Sequence, residues 1–129
     1  MKAVLSTENA PKAIGPYSQG VLAGDLLFLS GQLPIDPATG EIVAADIEGQ
    51  TKQSLTNVKA ILESAGCTMD HVVKTTVFLK DINEFGKMNE VYKEFFHEGN
   101  YPARSAIQVA AIPKDAKVEI EVVALKKLD

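Results

Sequence analysis

The residue with the strongest claim to chemistry in this 129-residue chain is Arg104, in the stretch Tyr101-Pro102-Ala103-Arg104-Ser105-Ala106-Ile107-Gln108-Val109. Pro102 fixes its own backbone and biases Tyr101 toward an extended shape, so the chain reaches the arginine along a stiff path. A guanidinium whose stem is held in one direction suits a two-pronged, charge-assisted bond to a carboxylate. A strand-end arginine can equally pair with one of the chain's own acids. Glu119 and Glu121 leave the strand Val118 to Leu125 on the face opposite Val118, Ile120, Val122 and Ala124. A carboxylate beside apolar neighbours gains proton affinity and can move protons, whereas alternate acids on a half-exposed strand also form an ordinary solvated rim.

Five further residues are candidates for lining a site. Ser30 ends an apolar strand beside Gly31, where a hydroxyl and free backbone amides could bind a small anion. No histidine or acid stands near Ser30 in sequence, so a nucleophilic serine has little behind it, and a plain strand-to-loop change explains the pair as well. Tyr17, after Gly15-Pro16, either closes a pocket or packs under its own loop. Asn89 lies on a helical stretch with Phe85 one turn earlier, and Phe85 reads as core. Cys67, His71 and His97 are too few and too scattered for a metal site, and no glycine-rich phosphate or dinucleotide motif occurs. No metal or organic cofactor is expected.

The elements that must position these residues follow from pattern. Lys2 to Ser6 reads as a short edge strand and Glu8 to Pro16 as an ordered loop. Ser18 to Leu22 and Leu26 to Ser30 form a hairpin around Gly24-Asp25, and Pro34 to Gly40 is a surface loop. Asp46 caps a helix carried by Ile47, Thr51, Leu55, Val58, Ile61, Leu62 and Ala65 and stopped by Gly66. His71 to Leu79 is a strand with Val73, Thr75, Val77 and Leu79 on one side and Val72, Lys74, Thr76 and Phe78 on the other. Phe85, Met88, Val91, Tyr92, Phe95 and Phe96 form the stripe of a second helix ending near Gly99 and capped by Asp81 or Asn83. Ser105 to Ile112 suits a central strand, and Val118 to Leu125 completes the chain.

This order predicts one α+β domain spanning 1–129, with two helices packed on one face of a mixed β-sheet. The later strands are apolar on both faces, so the uncovered face calls for another copy of the chain, and clefts between copies become natural ligand sites. A net charge of −4 and a pI near 5.2, with no basic run beyond Lys126-Lys127, exclude a nucleic-acid partner. No apolar run approaches the roughly 20 residues of a membrane span. A single cysteine and the lack of an apolar leader fit the cytoplasm.

Asn9-Ala10-Pro11, Ala13-Ile14-Gly15-Pro16-Tyr17-Ser18-Gln19-Gly20, Ser30-Gly31-Gln32, Asn57-Val58 with Leu62, Pro102-Ala103-Arg104-Ser105 and Glu119-Ile120-Glu121 together resemble the Rid family, also called the YjgF family. The resemblance covers nearly the whole chain. It implies a chorismate-mutase-like fold assembled as a homotrimer with a cleft between neighbouring subunits. It also implies a deaminase that hydrolyses reactive 2-imino acids (2-iminopropanoate, 2-iminobutanoate and their enamine tautomers) to 2-keto acids and ammonia, with no cofactor. Arg104 matches the arginine that binds the substrate carboxylate, and Glu119 the acid that positions the attacking water. Tyr17, Ser30, Gly31, Phe85 and Asn89 match positions lining the cleft. Two alternatives use the same scaffold: a non-catalytic sensor of keto or amino acids, and an interaction protein whose clefts are incidental.

Overall fold

The computed structural model describes residues 2–126; Lys127, second of the paired terminal lysines, lies outside them. Strands β1 (Lys2–Leu5), β2 (Gly20–Ala23) and β3 (Leu26–Gln32) form an antiparallel meander, with Gly24 at φ +62° making the β2–β3 turn. Two short strands, β4 (Ile35–Asp36) inside the expected surface loop Pro34 to Gly40 and β5 (Glu41–Ile42) just past its end, pair with each other. Helix α1 (Ile47–Ser64) follows, then β6 (Val72–Leu79), α2 (Phe85–Tyr92), β7 (Ala103–Gln108) and β8 (Val118–Leu125). The six long strands form one sheet in the order β1-β2-β3-β8-β6-β7, in which only β6 and β7 run parallel. The mixed α+β architecture is therefore as the pattern predicts.

Helix α1 forms because its apolar residues recur on one stripe and its ends are capped. The Asp46 carboxylate accepts from the Gly49 amide at 2.7 Å, and past the C-terminus Gly66 sits at φ +77°. Its inner face buries Ile47, Leu55, Val58, Ile61 and Leu62 with Leu27, Val77, Ile120 and Val122 of the sheet. Among its polar residues, fully buried Asn57 donates to the carbonyls of Leu33 and Ile35 at 3.1 and 2.9 Å and so fixes the chain leaving β3. Helix α2 is shorter than the apolar stripe suggests, passing into a 3₁₀ turn at Lys93–Phe95. It is preceded by another 3₁₀ turn, where Asp81 rather than Asn83 supplies the cap.

Two readings of the strands change. An irregularity between Val72 and Lys74 turns Val72 inward, at 4% exposure, and Val73 outward, at 39%. A strict two-residue alternation cannot see such a bulge. Strand β7 stops at Gln108 and occupies an edge, with β6 its one neighbour among the described residues; its apolar composition therefore reflects an outer face that none of those residues covers. Leu26, Phe28, Val73 and Ile107 are all exposed. No helix among the described residues is long and apolar enough to cross a membrane.

Candidate active site

Arg104 lies directly opposite Thr75 in the β6–β7 register, and Thr75 is fully buried beneath α2. The arginine therefore emerges on the helix side of the sheet. There its Nη1 donates to Asn89 Oδ1 at 2.7 Å, and its Cζ stands 4.6 Å from the centre of the Tyr92 ring and 5.2 Å from that of Phe85. Among the described residues no carboxylate pairs with Arg104, so the bland expectation of an internal ion pair is not what holds it. A hollow of about 400 Å³, lined by Asn89, Tyr92, Lys93, Tyr101, Pro102 and Arg104, opens beside it. Of the residues expected to line a cleft, Asn89 lines this hollow and binds the arginine, and Phe85 lies against the guanidinium without lining the hollow.

Glu119 stands on the other side. Its cross-strand partner is Phe78, one residue out of phase with the buried Val77–Ile120 pair, so its carboxylate emerges on the face away from the helices. Burial raises the proton affinity of Glu119 above the ordinary carboxylate value, and the like charge of Glu121 raises it further. The β3–β8 register slips between Leu29 and Gln32, so that Ser30 and Gly31 bulge out beside this carboxylate. The approach is close: a Cβ placed on Gly31 would stand 2.8 Å from Glu119 Oε2.

The bulge opens onto a groove of about 680 Å³ whose lining includes Tyr17, Gly31, Gln32, Lys12 and Lys114. Tyr17 is half-exposed at its rim and does not pack under its loop. The Ser30 hydroxyl donates to the Ser18 carbonyl at 2.6 Å, which commits its proton to joining the bulge to the Tyr17 loop. That loop is held by Gln19, a residue the sequence reading left without a role. Its buried amide accepts from the Thr7 amide at 2.7 Å and donates to the carbonyls of Thr7 and Pro11 at 3.0 and 2.8 Å. The signal available in sequence was its place in the Gly15 to Gly20 motif, which reported the position without the reason.

The expected site residues thus fall into two groups. Arg104, Asn89 and Phe85 share the helix side near one edge of the sheet; Glu119, Gly31, Ser30 and Tyr17 gather at the bulge on the other side. One chain thus presents, among the described residues, a guanidinium with no acidic partner on one side and, separately, a carboxylate of raised proton affinity at the bulge on the other. Among the described residues no three histidine, cysteine, aspartate or glutamate side chains group to hold a metal.

The sequence model of the family described as Endoribonuclease L-PSP matches residues 7–126. A RutC family protein from Pyrococcus horikoshii is 59% identical over 127 residues, which cover 98% of this chain and 100% of the relative. The 2-iminobutanoate/2-iminopropanoate deaminase of Escherichia coli is 52% identical over 129 residues, with coverage of 98% and 100%. The crystal structure of E. coli TdcF with bound serine superposes with a TM-score of 0.92 at 50% identity, covering 97% of this chain and 99% of that one.

Proposed function

The chain belongs to the Endoribonuclease L-PSP family, the Rid family its motifs point to, and from that premise we propose that it is a 2-iminobutanoate/2-iminopropanoate deaminase, an enzyme that hydrolyses 2-imino acids to 2-keto acids and ammonia. The observation that carries this reading is the Arg104 guanidinium, held by Asn89 and two aromatic rings, with no acidic partner among the described residues, beside an open hollow. Such a cation is prepared for a carboxylate that arrives from outside. Serine bound to the similar TdcF is a ligand carrying that group.

The chemistry follows from the two half-sites. Arg104 binds the substrate carboxylate through its remaining N–H groups and fixes the adjacent C=N carbon for attack. Glu119, as carboxylate, takes a proton from water as the oxygen adds to that carbon and returns it to the imine nitrogen. It then relays the hydroxyl proton of the resulting carbinolamine to that nitrogen as the C–N bond breaks, so that ammonia is lost and the 2-keto acid is left. A raised proton affinity suits Glu119 to both taking and returning the proton, and acid-base help of this kind is worth roughly 10² to 10⁴ in rate. A sensor of keto acids would need Arg104 but would have no use for such a glutamate.

Because Arg104 and Glu119 leave opposite faces of one sheet, the working site is proposed to form between copies, each subunit giving its arginine to one neighbour and its glutamate to the other. A cyclic homotrimer with inter-subunit clefts satisfies this and covers Phe28, Val73 and Ile107. A cytoplasmic setting completes the proposal, and a net charge of −4 lends no support to the RNA cleavage that the family's description names. The test is to generate 2-iminopropanoate from serine with a dehydratase and 2-iminobutanoate from threonine. Faster disappearance of the imines with the protein present supports the reading; rates equal to the buffer blank would overturn it.

A further inference from the structure

We propose that Tyr92 is the positioning residue for Arg104: its ring carries the guanidinium, and its hydroxyl, bound to Thr75, holds the ring in place. The proposal deepens the carboxylate-binding role given to Arg104 and rests on it. Arg104 rises from an edge strand, so the sheet supplies it with one flanking strand and no wall on the other side. Its hydrogen bond to Asn89 fixes one nitrogen but leaves the guanidinium plane free to turn about that contact.

The wall comes from α2. Phe85, Asn89 and Tyr92, spaced four and three residues apart, share one face of the helix, and all three meet Arg104. Tyr92 is the nearer ring and is itself immobilised. It is 4% exposed, its ring centre lies 4.7 Å from that of Phe96, and its hydroxyl is 2.7 Å from Thr75 Oγ1. Thr75 is also the register partner of Arg104. Strand β6, helix α2 and strand β7 therefore close a loop of contacts in which Thr75 sets Tyr92 and Tyr92 sets the arginine that Thr75 faces across the strands. With its hydroxyl engaged at Thr75 and its proton affinity raised by burial, Tyr92 serves as a neutral ring and not as a proton donor. A fixed plane is what a two-pronged bond to a carboxylate requires.

The test separates ring from hydroxyl. Calorimetric titration with pyruvate is compared for wild type, Tyr92→Leu and Tyr92→Phe, alongside the KM and kcat for 2-iminopropanoate. Tyr92→Leu is expected to raise the Kd for pyruvate and the KM about tenfold, with little change in kcat, since the lost contact acts on ground and transition states alike. Tyr92→Phe keeps the ring and recovers most of the loss, while lowering the unfolding temperature because Thr75 loses its partner. Leucine and phenylalanine variants that lose binding equally, or a folded Tyr92→Leu that binds pyruvate as wild type does, would overturn the proposal. An NMR measurement on the wild-type protein keeps the proposal open to contradiction even if Tyr92→Leu fails to fold. The Arg104 Nε–H resonance, assigned by its loss in Arg104→Lys, should be shifted upfield by the ring and should persist against solvent exchange. A resonance at the position and exchange rate of a free arginine contradicts the clamp, whether or not the protein hydrolyses imines.

Discussion

Arg104 and Glu119 stand out in the sequence by type and neighbourhood, but the residues the structure sets around them do not. Phe85 read as core because an aromatic at helical spacing almost always is. What the pattern could not convey is that an arginine from an edge strand would lie against it and against Tyr92, a contact between residues 12 to 19 positions apart. The two assigned roles have different signatures. Arg104→Ala should abolish both pyruvate binding and turnover, and Arg104→Lys should recover little, because an ammonium keeps the charge but loses the planar fork. Glu119→Gln should bind pyruvate normally and lose about 10²-fold or more in kcat, a split that calorimetry beside an imine-loss assay would read. Wild-type turnover by Glu119→Gln would remove it from the proton path. The pH dependence carries the same assignment. Since burial and Glu121 raise the proton affinity of Glu119 above the ordinary 4.5, the acid limb of kcat/KM should lie above pH 4.5 and disappear in Glu119→Gln. The sign for stability is opposite. The folded chain holds this proton more tightly than the unfolded one, so Glu119 contributes stability below about pH 4.5 that is lost as the pH rises through its folded value.

Among the elements, α1 was the most readable because cap, stripe and stop all agree on one answer. Strands β6 and β7 were the least readable, since a bulge and an uncovered edge each break the simple alternation. The bulge at Ser30–Gly31 matters most for function, and sequence gave its location only as a strand end beside a glycine. It sets the bulged backbone against Glu119, leaving no room for a methyl group on residue 31. Gly31 does not need positive φ, so its role is space alone. Gly31→Ala should therefore fold, displace the Glu119 carboxylate and lower kcat on the order of 10- to 100-fold, the scale of a small misplacement of a reacting group. Gly86→Ala is the control: a Cβ there meets nothing within 4 Å, and helix α2 should gain up to about 1 kcal/mol with activity kept. Unfolding midpoints and kcat on the two variants would separate the effects, and unchanged kcat in Gly31→Ala would mean that the bulge does not fix the acid.

For the molecule as a whole, apolar residues on both faces of the sheet were readable in the sequence, and the structure gives them a consequence that composition alone could not. The helices cover one face; Leu26, Phe28, Val73 and Ile107 remain exposed on the described chain. The face that needs a neighbour is also the face that carries Glu119, while the arginine points the other way. Assembly and chemistry are thus one requirement in the proposed trimer, and a monomer would hold both halves of the site without ever joining them. Subunit mixing tests this directly. Arg104→Ala and Glu119→Gln are each expected to be inactive, and in neither does any chain carry both residues. After equal amounts are mixed and subunit exchange is verified by native mass spectrometry, a site shared between copies should be intact wherever a Glu119→Gln chain lends its arginine to an Arg104→Ala chain's glutamate. Random exchange makes this about one site in four, so activity should return to about a quarter of wild type. No recovery in a fully exchanged mixture would show that Arg104 and Glu119 do not act together across the interface.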